Sequence, residues 1–198
     1  MRFGYRDLTR LLRLQRQRIR DRWSEFLGDK PPPAKPSGPE IETTEITPEL
    51  LESHGMQGFF EVWQRACASR GKTMPMRGDI DIVELGTYIG ELSLLEVIDG
   101  GADFRYRVLS EGAAVLLGKD HTGKLLSETD RDAERRERLT QRYRRVVATR
   151  VPWYSRTPAI PEMPVLYTAR LALPLSEDGE QVSMILMARK SGPRRPLP

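Results

Sequence analysis

The chain is poor in the residues from which most metal and nucleophile centres are built. A single cysteine, Cys67, among 198 residues rules out an internal disulfide framework and fits a reducing compartment. The two histidines, His54 and His121, stand far from that cysteine and give no zinc-ligand spacing. No run approaches the roughly 18 apolar residues needed to cross a bilayer. Arginines interrupt the N-terminal region every few residues, which does not suit a signal peptide. Neither a Gly-x-Ser-x-Gly elbow nor a phosphate-cradling glycine loop is present. These absences lead us to expect a soluble, cytoplasmic, non-enzymatic protein that needs no metal and no cofactor.

What the chain does have is arginine, unevenly placed. The net charge is +4, yet residues 1–30 hold nine Lys/Arg against four Asp/Glu, and residues 131–150 hold eight against three. Between them, residues 31–60 hold one Lys/Arg against five Asp/Glu. Two basic segments separated by an acidic one can attract phosphates or anionic lipid, or can be the solvated faces of helices.

Periodicity divides the chain into four parts. In residues 1–28, Leu8, Leu11, Leu12, Ile19, Trp23 and Phe26 form one apolar stripe at helical spacing, set among arginines, and Gly28 ends it. Residues 29–46 are a linker dominated by prolines between Lys30 and Pro39. Residues 47–190 carry the core, and residues 191–198 are expected to be a disordered tail. The core begins at Thr47-Pro48-Glu49, a hydroxyl cap with proline at the first helical position. Gly55 and Gly58 are expected to split the helical pattern that follows, Gly71–Asp81 to form a loop, and Ile82–Tyr88 a short helix.

Strand signals follow. Leu92–Ile98 is apolar, Gly100-Gly101 supplies a turn, and Phe104–Leu109 begins with strict alternation of apolar and charged residues. Glu111–Leu117 is a short helix closed by Gly118. Arg131–Arg150 is a long helix capped by Asp130 and ended by Pro152. It must pack Leu139, Tyr143, Val146 and Val147 on the sheet, which makes it scaffold rather than a nucleic-acid surface, so nucleic acid is not an expected partner. A strand-like run follows Pro152. Val165–Leu175 alternates with Tyr167, Ala169, Leu171 and Leu173 on one side. Ser176-Glu-Asp-Gly179 is a hairpin turn, and Gln181–Arg189 is the last strand.

Phe60-Glu-Val-Trp63, Met74 to Asp81, Leu94 to Asp99 before Phe104-Arg-Tyr-Arg107, and Leu117 to Gly123 occur in an order that resembles stand-alone bacterial PAS-like sensory domains, over residues 59–189. Gly86-Thr-Tyr-Ile-Gly90 departs from that pattern where a Leu-Pro pair is usual, and Ser110-Glu-Gly112 departs where a Gly-Thr turn is usual. The resemblance implies an α+β fold: a five-stranded antiparallel sheet flanked by helices, with a small pocket under the helical interlude. It also implies a sensory or regulatory role. The expected lining or support of that pocket is Leu94, Tyr106, Val108, Leu117, Trp153, Tyr167, Ala169, Met184 and Leu186.

The chemical candidates are thin. Haem sensors of this fold offer a histidine on the helical wall, whereas His121 stands in a polar turn and is expected at the surface, and His54 precedes the core. Cys67 lies before the sheet, away from where a flavin photosensor would need it. Asp79 with Asp81 suit caps in a loop, and Glu96 with Asp99 a strand end, so neither pair is expected to act as an acid–base dyad. The expected partners are a second copy of the chain and a small ligand or signalling protein. Leu8, Leu12, Ile19, Trp23 and Phe26 would serve dimerisation, docking or peripheral membrane contact. The alternative is a constitutive adaptor with a filled core.

Overall fold

Short apolar or alternating runs form six strands: β1 (Ile41–Thr43), β2 (Leu92–Ile98), β3 (Asp103–Val108), β4 (Trp153–Pro158), β5 (Val165–Ser176) and β6 (Val182–Pro193). Among the described residues, four α-helices accompany them: α1 (Pro48–Glu52), α2 (Gln57–Ser69), α3 (Glu111–Leu117) and α4 (Ala133–Thr149). This computed structural model describes residues 41–193, except 54, 70, 72, 82, 118, 130–132 and 159–164. The N-terminal stripe, from Leu8 to Phe26, therefore lies outside the described residues, as does the Asp130 cap.

The fold is α+β, with one antiparallel sheet in the order β1-β4-β5-β6-β2-β3. Six strands replace the expected five because β1 forms within the segment assigned to the linker, pairing Ile41–Thr43 with Arg156–Tyr154. The expected tail also shortens. β6 runs on to Pro193 because β5 extends far enough to pair Val165 with it.

Local chemistry explains most boundaries. Thr47 Oγ1 accepts from Leu50 N at 3.2 Å, capping α1, and Gly55 at φ +62° allows the turn out of it. The expected division into two helices is present, with the break at Gly55, while Gly58 lies in the first turn of α2. A Cβ there would come within 2.9 Å of the Tyr88 hydroxyl, so the glycine admits a close crossing. Residues 86–91 form a 3₁₀ segment where a helix over 82–88 was expected. Pro174, inside β5, lies beyond the last β4 pairing at Ala172, so no ladder bond is lost, and its carbonyl accepts from Trp63 Nε1 at 2.9 Å.

Both faces of the sheet are buried. One face packs Leu94, Ala169, Leu171, Leu173, Met184 and Leu186 against Leu51, Phe59, Val62 and Trp63 of α1 and α2. The other packs Leu95, Phe104, Tyr106, Trp153, Ala172, Ile185 and Met187 against Tyr143 and Val146 of α4, with Leu139 and Val147 partly buried beside them. Burial on both sides explains the continuous apolar character of β2. Removing a side chain such as Leu171, fully buried at the sheet centre, would cost about 2–5 kcal/mol.

Candidate functional site

The residues expected to surround one pocket divide between the two faces. Leu94, Val108, Ala169, Met184 and Leu186 face α1 and α2, with Tyr167 partly buried beside them, whereas Tyr106 and Trp153 face the interlude helices α3 and α4. Leu117 closes α3, and its side chain lies outside the described residues. The cause of the split on β3 is a β-bulge. Leu95 pairs with Tyr106 and Leu94 with Val108, so Arg107 is the extra residue. That insertion turns Val108 to the face opposite Tyr106, which simple alternation did not foresee.

The interlude face is the richer in polar groups. On β4, Trp153 and Ser155 are both buried, at 2 % and 0 % relative exposure. Neither Trp153 Nε1 nor Ser155 Oγ has a hydrogen-bond partner among the described residues. The Arg142 guanidinium lies 5.6 Å from the centre of the Trp153 ring. Its Nε donates to Glu42 Oε1 at 2.6 Å, which ties α4 to β1. Arg144 fastens the same helix to the β2–β3 turn by donating to Gly101 O at 2.8 Å and Ala102 O at 3.1 Å. Ala172 of β5 is the cross-strand partner of Trp153, and both belong to the buried cluster on this face.

A second polar group lies near the interlude. His121 was expected at the surface, yet it is buried at 2 % exposure. The reason is that the segment after it adds to the β3 edge: Gly123 N donates to Tyr106 O at 2.6 Å, Tyr106 N to Lys124 O at 3.0 Å, and Leu126 N to Phe104 O at 2.7 Å. The segment thereby covers the backbone edge that β3 would otherwise expose. Ser93 Oγ accepts from Ser110 N at 2.9 Å, which anchors the start of α3 on β2.

On the opposite face, two cations lie against aromatic rings: Arg156 is 4.8 Å from the Tyr167 ring centre and Lys190 is 5.5 Å from that of Tyr88. Lys190 Nζ also lies 2.5 Å from Glu91 Oε2. Burial raises the Glu91 carboxyl above its ordinary range, with the Lys190 contact opposing. Burial likewise pushes the Tyr154 hydroxyl up to about 12, so it stays neutral at ordinary pH.

The carboxylates of the two pairs, Asp79 with Asp81 and Glu96 with Asp99, lie in local contacts and turns. Asp79 Oδ2 accepts from Met76 N at 2.9 Å and Asp81 Oδ1 from Val83 N at 2.8 Å. Glu96 Oε2 lies 3.2 Å from Arg105 Nη1 and 3.6 Å from Arg107 Nη1. Asp99 occupies the turn at φ +46°. Cys67 is buried in α2, and desolvation pushes its thiol up to about 11, which suppresses thiolate chemistry. Among the described residues, no group of three or more His, Cys, Asp or Glu could hold a metal ion, and no helix is long and apolar enough to cross a membrane. Sequence reasoning passed over Ser155, Arg142 and Glu42, because only the packing of α4 brings Arg142 to Trp153 and only the pairing of β1 with β4 sets Glu42 opposite Ser155. No family model, curated protein or solved structure matches the chain.

Proposed function

We propose that this chain is a non-enzymatic sensory or regulatory module of the PAS-like kind. It holds a small ligand between the sheet and the interlude helices and relays occupancy through altered self-association. The observation that carries the reading is the pair of buried polar atoms on β4, Trp153 Nε1 and Ser155 Oγ. Buried donors and acceptors are nearly always satisfied, and a ligand's polar edge would satisfy both at once. Support also comes from the element order, since α3 and α4 intervene between strands β2–β3 and β4–β6 as the resemblance implies. A homodimer formed through Leu8, Leu12, Ile19, Trp23 and Phe26 would supply the relay, at a cytoplasmic location.

Ala172→Leu separates this reading from that of a constitutive adaptor with a filled core. With space beside Trp153, the added methylenes are accommodated and stability changes by less than about 1 kcal/mol. A filled core would be overpacked and lose about 1–3 kcal/mol, which would overturn the ligand reading. Light scattering on the full chain and on Ile19→Glu tests the relay, and a monomer at every concentration in both would remove it.

A further inference from the structure

Trp153 and Ser155, whose buried polar atoms lack hydrogen-bond partners among the described residues, both meet the Arg142–Glu42 ion pair. Trp153 lies beneath the Arg142 guanidinium, 5.6 Å from the centre of its ring. Ser155 is the direct cross-strand partner of Glu42, so the two side chains stand on one face of the sheet. Arg142 holds that same Glu42 through Nε and Nη2. The Arg142 side chain is 17 % exposed and that of Glu42 30 %, so water screens the pair only in part. Among the described strands, β1 pairs with β4 alone, over three residues, and leaves Ile41 exposed. A short edge strand of this kind opens at low free-energy cost, so one tie to α4 can decide whether it stays paired.

We propose that the Arg142–Glu42 pair is a latch that ties the interlude-face site to β1, and through β1 to residues 1–40. Trp153 and Ser155 are both buried, so a ligand reaches them when a covering group moves. The guanidinium is part of that cover. It is a rigid plane, so the movement that uncovers the indole also disturbs its bonds to Glu42. β1 then loses its tie to α4, and its opening passes the change to the chain that precedes it. The latch rests on the ligand reading above and supplies the route from the site to self-association.

Hydrogen exchange on full-length protein labelled with ¹⁵N tests the coupling. Arg142→Gln should speed exchange across β1 and at the Trp153 indole N–H about fivefold, and Glu42→Gln about twofold at both places. In the double variant, Glu42→Gln should add nothing to Arg142→Gln. Asp178→Asn, which alters the distant β5–β6 turn, should change neither place, because the latch opens locally and not with the whole fold. Acceleration confined to the altered residue's own element, equal acceleration by Asp178→Asn, or additive effects in the double variant would each overturn the proposal. Should the latch variants fail to fold, the wild type in about 1 M sodium chloride decides. Screening at a Debye length of about 3 Å should speed exchange at both places together, and unchanged rates would overturn the latch. A latch that opens without any change in light scattering keeps this proposal and removes the self-association relay, so the two ideas fail separately.

Discussion

Arg142 holds Glu42 across the gap between a helix and an edge strand 100 residues away in sequence. The Nε and Nη2 atoms lie 2.6 Å and 2.5 Å from one carboxylate oxygen, and the guanidinium also covers Trp153. Arg142→Ala should therefore cost about 1 kcal/mol, and Glu42→Gln about half as much, in urea denaturation. Equal losses would mean that the indole contact contributes nothing.

The same contact gives the short β1 a reason to stay paired. A fragment beginning at Ile41 keeps β1 and should unfold in one cooperative thermal transition. A fragment beginning at Thr44 exposes the β4 edge and removes the Glu42–Arg142 ion pair, so its midpoint should fall. A molten signal from the longer fragment would show that residues 1–40 belong to the core.

Arg150 follows α4 in a left-handed conformation, φ +58°, where a side chain is strained and glycine is the common terminator. Arg150→Gly should stabilise the protein by about 0.5–1 kcal/mol, the relief of strain outweighing glycine's unfolded-state entropy. A loss of stability would mean that the arginine makes a contact worth more than the strain.

Gly58 and Tyr88 should be coupled. Gly58→Ala gains about 1 kcal/mol of helix propensity but drives a Cβ to 2.9 Å from the Tyr88 hydroxyl. The substitution should be neutral or destabilising alone and should stabilise by about 1 kcal/mol when Tyr88→Phe removes that oxygen. Additive effects in the double-mutant cycle would contradict the close crossing.

Asp178 organises the β5–β6 turn. Its Oδ1 accepts from Glu180 N at 2.7 Å, Gln181 N at 3.0 Å and the Ser176 hydroxyl at 2.7 Å. The backbone bonds from Gln181 and Glu180, with that hydroxyl, hold its carboxyl down at about 2 from an ordinary 3.8. A depressed folded pKa contributes stability that is present above pH 3.8 and lost as pH falls through about 2. Asp178→Asn should flatten that acid limb of the stability–pH curve while leaving its slope above pH 5 unchanged. An unaltered limb would assign the acid sensitivity to other carboxylates.

Periodicity along the chain was enough to determine that β2 to β6 would be strands, that a long arginine-rich helix would separate β3 from β4, and that Tyr167, Ala169, Leu171 and Leu173 would share a face. Each of these follows from a repeat of two or 3.6 residues, which local backbone geometry imposes. Tertiary structure alone decided that β1 belongs to the sheet, since three residues after a proline-rich stretch carry no pattern until β4 offers an edge. It likewise decided that Tyr106 and Val108 face opposite sides, because a bulge needs a partner strand to define it. The buried His121 and the pairing of Glu42 with Ser155 depend on which strands lie side by side. That choice is made by long-range pairing and by burial of both sheet faces, neither of which leaves a periodic mark in the sequence.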